Sequence, residues 1–269
     1  MRKNSSKTPG KFFSLIRWEL EKTFTFPTLA IIIAVVLYIT VPATFGGSSG
    51  RSQMPPWTEV LNRFAPSWTM ALSNHIPTSF MYSVFIFAAL TSNSLSRDMS
   101  RGYMRVLLSY PIDRTKFFLS KILVLLLVPF LIFTCSLLFV AALVFPGLFL
   151  HMPPLGVAYM IIVMLVQMFF ILSISLSASL HIRQPVMSFL ASVITLIAME
   201  QISLYLAAPY RYLLPTRGTR ILMNYYFYPS GFEFQYAPSD LLMALFGMLI
   251  VPAVILIINL IYFKRRFQT

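Results

Sequence analysis

Few residues in this 269-residue sequence could carry bond-breaking chemistry, and they are scattered. The three histidines, His75, His151 and His181, are far apart, and none stands in the H-E-x-x-H spacing that puts two imidazoles on one helix face. Cys135 is the single cysteine and sits between Phe133 and Leu137, where a thiol usually packs rather than reacts. No carboxylate and cysteine cluster has metal-ligand spacing, and no G-x-S-x-G elbow presents a nucleophile. The phosphate loop G-x-x-x-x-G-K-[ST] is also missing, so the chain does not grip a nucleotide in the usual way. These observations point away from an enzyme and from a cofactor held by this chain.

Two other groups of residues could act without making or breaking bonds. Glu200, beside Gln201, falls inside a long apolar run. A carboxylate in such a place faces the bundle interior or water and is a candidate for a transport path. At 1.5 Å per residue it lies about 21 Å from the start of its helix, so a solvated place at the outer interface is the competing reading. The second group is the segment 96–121, which is basic and amphipathic. Met104, Leu107 and Leu108 make an apolar edge able to enter a groove in a partner, Pro111 stops the helix, and Arg114 and Lys116 suit a head-group position.

The elements that must position these residues are helices crossing a membrane. Hydrophobic residues make up 58% of the chain and charged residues 11%, against about 25% charged in soluble domains. Six stretches reach the roughly 20 apolar residues needed to span hydrocarbon. They are 28–45, 71–95, 117–145, 155–180, 186–208 and 241–263. The expected fold is therefore all-α, a polytopic bundle of six transmembrane helices forming one domain over 1–269. Residues 1–27 form a cytoplasmic leader, 28–263 the bundle and 264–269 a cytoplasmic tail. Ser173, Ser175, Ser177 and Ser179 make two small-x-x-x-small pairs that let helices approach closely.

Sixteen of the 21 Lys and Arg residues fall in the leader, the segment 96–121, Arg183 and the tail. Basic residues near helix ends stay in the cytoplasm, so both termini are expected there in a cell-membrane protein. The net charge of +13 follows from this asymmetry and from attraction to anionic lipid, without nucleic acid. Within the leader, Phe12, Phe13, Ile16, Leu20 and Phe24 fall on one helical arc and Arg17, Glu21 and Lys22 on the other. That pattern predicts an amphipathic helix lying in the interface, with Pro27 turning the chain into the membrane. On the opposite face, Trp57 and Trp68 read as interface anchors, and the aromatic-rich segment 209–240 as an interfacial belt or short re-entrant helices.

In the segment 96–121, Asp98, Gly102, Leu107, Leu108, Ser109, Pro111, Arg114 and Lys121 fall at offsets that resemble the permease subunits of ABC-2 type transporters. Arg17-Trp18-Glu19-Leu20 in the leader is similar to that family's basic-x-Glu-apolar signature. Tyr103 stands where the family usually has Thr, Asp98 where Glu is commoner, and Arg105 where an acidic residue is frequent. The resemblance implies a coupling helix between spans two and three, with Arg97, Arg101 and Met104 beside the matched residues. The leader becomes a connecting helix. It further implies an ATP-binding cassette ATPase as a separate partner that holds ATP and Mg, a second permease chain as homodimer or heterodimer partner, and export as the activity. The alternative is a self-sufficient secondary transporter or channel using Glu200.

Overall fold

The computed structural model describes residues 10–45, 67–104, 106, 113–144, 154–208, 210–227 and 237–266, and among them there is helix and no strand. The leader forms α1 (Gly10–Thr23) and is followed at once by α2 (Phe26–Phe45). Pro27 occupies the first turn of α2, where a missing N–H has no partner to lose. The two helices meet at 75°, the bend expected near Pro27. Next come α3 (Ser67–Thr91), a π-helical turn (Ser92–Ser96) and α4 (Arg97–Ser100). They are continuous, so this helix runs past the expected end at residue 95. Then follow α5 (Arg114–Val144), α6 (Pro154–His181), α7 (Pro185–Tyr205), a 3-10 turn (Tyr210–Leu213) and α8 (Pro215–Phe227). The last element is α9 (Pro238–Leu245), joined through a second π-turn (Phe246–Ile250) to α10 (Val251–Arg266).

Among the described residues, four helices are long and apolar enough to cross a membrane: Arg114–Phe139, Pro154–His181, Pro185–Tyr205 and Pro238–Arg266. The bent pair Phe12–Thr23 and Phe26–Tyr38 makes a fifth if it counts as one span. Trp57, the Trp68 side chain, His75's side chain, His151 and the segment 228–236 lie outside the described residues.

Helix α6 is the centre of the bundle and packs against α3, α5, α7, α8 and α10. Its inward face carries Met164, Met168, Ile171 and Leu172, all buried. Ser173, Ser175 and Ser179 are buried on it as well, and the Ser179 hydroxyl meets that of Ser188 on α7 at 2.9 Å. Small side chains thus bring α6 and α7 together and add a hydrogen bond across them. The outer surface is Ile31, Tyr38, Leu131, Phe139, Ile194 and Ile257, all exposed. In water such a surface would be an aggregation hazard, whereas in lipid it is solvated. Cys135 faces outward with these residues rather than packing inside, as its apolar neighbours in sequence had implied.

At one end of the bundle, α8 packs against α3, α6 and α9 rather than lying apart from them. Tyr159 on α6 donates to the Leu222 carbonyl of α8 at 2.5 Å. The second π-turn brings Gly247 against the 3-10 turn. A Cβ on Gly247 would lie 2.3 Å from the Leu213 carbonyl oxygen and 2.5 Å from the Leu213 Cα. Both obstacles are backbone and cannot rotate away. Gly247→Ala should therefore separate these elements and cost about 1–3 kcal/mol, the usual penalty of overpacking. Thermal melting of detergent-solubilised protein measures it; an unshifted midpoint would show that the contact can relax.

Candidate functional site

The two sequence segments that stood apart, the leader and the stretch 96–121, meet through their charges. On α1, Glu19 and Thr23 are one helical turn apart and point into the bundle, with Glu19 fully buried. On α5, Lys121 is also fully buried. Asp98 on α4 is 4% exposed. The fourth participant, Ser94, comes from the π-turn.

Lys121 Nζ donates to Glu19 Oε1 at 2.5 Å, Ser94 Oγ at 3.0 Å, the Ser94 carbonyl at 3.4 Å and Asp98 Oδ2 at 3.3 Å. Its face toward Phe117 lies 5.4 Å from the ring centre. Glu19 Oε1 also accepts from Ser94 Oγ at 3.0 Å and Thr23 Oγ1 at 3.1 Å. Asp98 is shared with Lys22 of α1, whose ammonium sits 5.0 Å over the Trp18 ring. Two carboxylates and two ammonium groups make the hub neutral. That balance matters because a lone buried charge costs several kcal/mol, and pairing offsets the loss of water.

The π-turn is what brings Ser94 to Lys121. A π-turn adds one residue to the helical circuit and loosens the local ladder. Here Thr91 Oγ1 donates to the Phe87 carbonyl at 2.8 Å and Ser92 Oγ to the Ala89 carbonyl at 3.0 Å, which occupies loosened acceptors. Ser96 Oγ reaches across to the Ile182 carbonyl at 2.6 Å and ties the same turn to the end of α6. On its other side that helix end is capped by Arg266 from α10, and His181 stacks on Tyr262 at 4.5 Å. The α3–α4 helix ends at Ser100, two residues before Gly102, whose φ of 75° is readily adopted by glycine alone.

Several expectations change in consequence. In the leader, Phe13 and Leu20 of the apolar arc are exposed and Phe24 is buried, while Glu19 and Thr23 also point inward, which the amphipathic pattern had not indicated. Arg17 and Trp18 are exposed, and Arg17 pairs with Glu21 at 2.9 Å. Met104 is buried at 1% exposure, because the left-handed turn at Gly102 folds the chain back onto the bundle. It therefore cannot form a docking edge, and Tyr103 and Val106 are exposed in its place. Arg97 and Arg101 are exposed as expected. Leu107, Leu108, Ser109 and Pro111 lie outside the described residues. Arg114 opens α5, half-buried.

Glu200 is far along α7, partly buried, and its Oε2 has no hydrogen-bond partner. Arg217 and Arg220 of α8 are within electrostatic reach of it. Gln201 is exposed beside it. Nothing in the sequence pointed to these arginines as its neighbours. Among the described residues no group of His, Cys, Asp and Glu could hold a metal ion. No protein-family model matches the chain, and no curated protein matches it.

The hub holds opposite charges in contact, so its loss should be read first in stability. Lys121→Met alone leaves the buried carboxylates short of a cation and should destabilise the protein by about 3–5 kcal/mol. Adding Glu19→Met removes the orphaned carboxylate and should restore a large part of that loss, since contacting partners are non-additive. Unfolding midpoints of the two single variants and the double variant measure the coupling. Simple additivity would mean that the two side chains do not depend on each other.

Proposed function

We propose that this chain is the permease subunit of an ABC-2 type transporter, with six spans, cytoplasmic ends and export as its activity. The reading is supported most by the hub. The two segments that carry the resemblance, Arg17-Trp18-Glu19-Leu20 and the Asp98 to Lys121 stretch, are remote in sequence yet joined by Glu19, Asp98 and Lys121. α1, the end of the α3–α4 helix and the start of α5 thereby form one stiff unit. Arg97, Arg101 and Tyr103 are exposed on the chain that carries it. A separate ATPase docking on that surface would push a unit that is continuous with two spans. ATP and Mg would be handled in the partner, and a second permease chain would complete the path. Transport also requires that inward- and outward-open states bind cargo differently, because only differential affinity shifts an equilibrium.

A secondary carrier is the second reading, favoured by the unpartnered carboxylate oxygen of Glu200. Gentle solubilisation of the tagged chain, followed by mass spectrometry of what co-purifies, separates the two. The expected result is a stoichiometric ATP-binding subunit, lost when Arg97 and Arg101 become Glu or when Leu107 and Leu108 become Asp. Recovery of the chain alone, with substrate-coupled ion flux, would favour the carrier.

A further inference from the structure

The end of the bundle that carries α8 is rich in polar atoms with nothing to bond. Glu200 Oε2, Thr216 Oγ1, Arg217 Nε and Arg211 Nε are all buried atoms without a partner. They belong to α7, the 3-10 turn and the first turn of α8, which pack on one another. Buried polar atoms without partners are uncommon, so four in one region call for a physical account. Glu200 and the arginines do not neutralise each other by contact, since Glu200 forms no ion pair with any described residue.

The first turn of α8 adds donors. Its first amide bonded back to the chain is that of Gly218, to the Leu214 carbonyl at 2.8 Å. The amides of Thr216 and Arg217 come before that bond, and Leu214 has no side-chain acceptor to cap them. Amides at a helix start favour negative charge. Thr216 is 9% exposed, so its hydroxyl is a buried donor in that same turn. Arg211 is held in place, donating through Nη2 to the Tyr212 hydroxyl at 2.7 Å and lying 4.9 Å over the Tyr212 ring. Against these donors stands Glu200. Asp240, at the start of α9, has its carboxylate engaged with the Ala237 amide at 3.2 Å.

We propose that the first turn of α8, with Arg217 and Arg220, binds a phosphate or carboxylate group of the transported molecule, and that Glu200 competes with that group for the arginines. This rests on the transporter reading and assigns a chemical class to its cargo. The group would accept from the Thr216 hydroxyl and first-turn amides while the guanidinium groups neutralise it. Glu200 opposes entry by like charge, which makes the sign of its replacement informative. Loss of a cation site on Glu200→Gln would weaken binding, whereas loss of a competing carboxylate strengthens it.

The experiment is native mass spectrometry of the full chain, with any subunit that co-purifies, titrated separately with dioleoyl-phosphatidylglycerol, dioleoyl-phosphatidylcholine and inorganic pyrophosphate. Arg220 is exposed, so Arg220→Gln should fold even if Arg217→Gln does not, and Arg183→Gln at the other end of the bundle reports background attraction to basic residues. The expected result is that Arg217→Gln or Arg220→Gln weakens an anionic probe about tenfold, the worth of one charge-assisted hydrogen bond. Glu200→Gln should strengthen the same probe, and Arg183→Gln should leave it unchanged. Binding of phosphatidylglycerol alone would mark a lipid cargo, and binding of pyrophosphate a soluble one. Equal binding by all variants, no binding of either anion, or weaker binding in Glu200→Gln would overturn the proposal. Because the readout needs no ATPase, its failure is separate from failure of the transporter reading.

Discussion

The Lys121 ammonium is the constraint around which one end of this molecule is organised. A fully buried cation is tolerable only with its counter-charges in contact, and Glu19 and Asp98 come from two other segments. Meeting that requirement pulls α1 against the bundle and sets the end of the α3–α4 helix. The hub is also cooperative. Glu19 Oε1 receives three donors, so movement of any contributing helix disturbs the bonds of the others.

Helical irregularity serves this arrangement. The π-turn at Ser92–Ser96 supplies both Ser94, bonded to Lys121, and Ser96, bonded to the end of α6. Asp98 follows within the next turn, and Gly102 then reverses the chain. The second π-turn, at Phe246–Ile250, acts at the other end by bringing Gly247 onto the Leu213 backbone.

The two ends therefore differ in character. Around Lys121, opposite charges are in direct contact, although Glu19 Oε2 is itself left without a partner. Around α8, arginines face a carboxylate without touching it and several buried polar atoms have no partner.

The apolar helices were legible in the sequence because a run of hydrophobic residues is a local property, and the bend near Pro27 was legible for the same reason. The leader was recognised as a helix, but the burial of its Glu19 was not, since that depends on the Lys121 cation reaching it from a distant segment. Glu19, Asp98 and Lys121 stood out one by one, yet their partnership spans 102 residues between Glu19 and Lys121. Met104 read as a docking edge until the left-handed turn at Gly102 carried it into the core. Helix content and membrane class follow from the sequence because composition and run length decide them locally. Which charges are paired, and which face of each helix is inward, was decided only in the tertiary structure, because burial of a charge is settled by the neighbours that reach it.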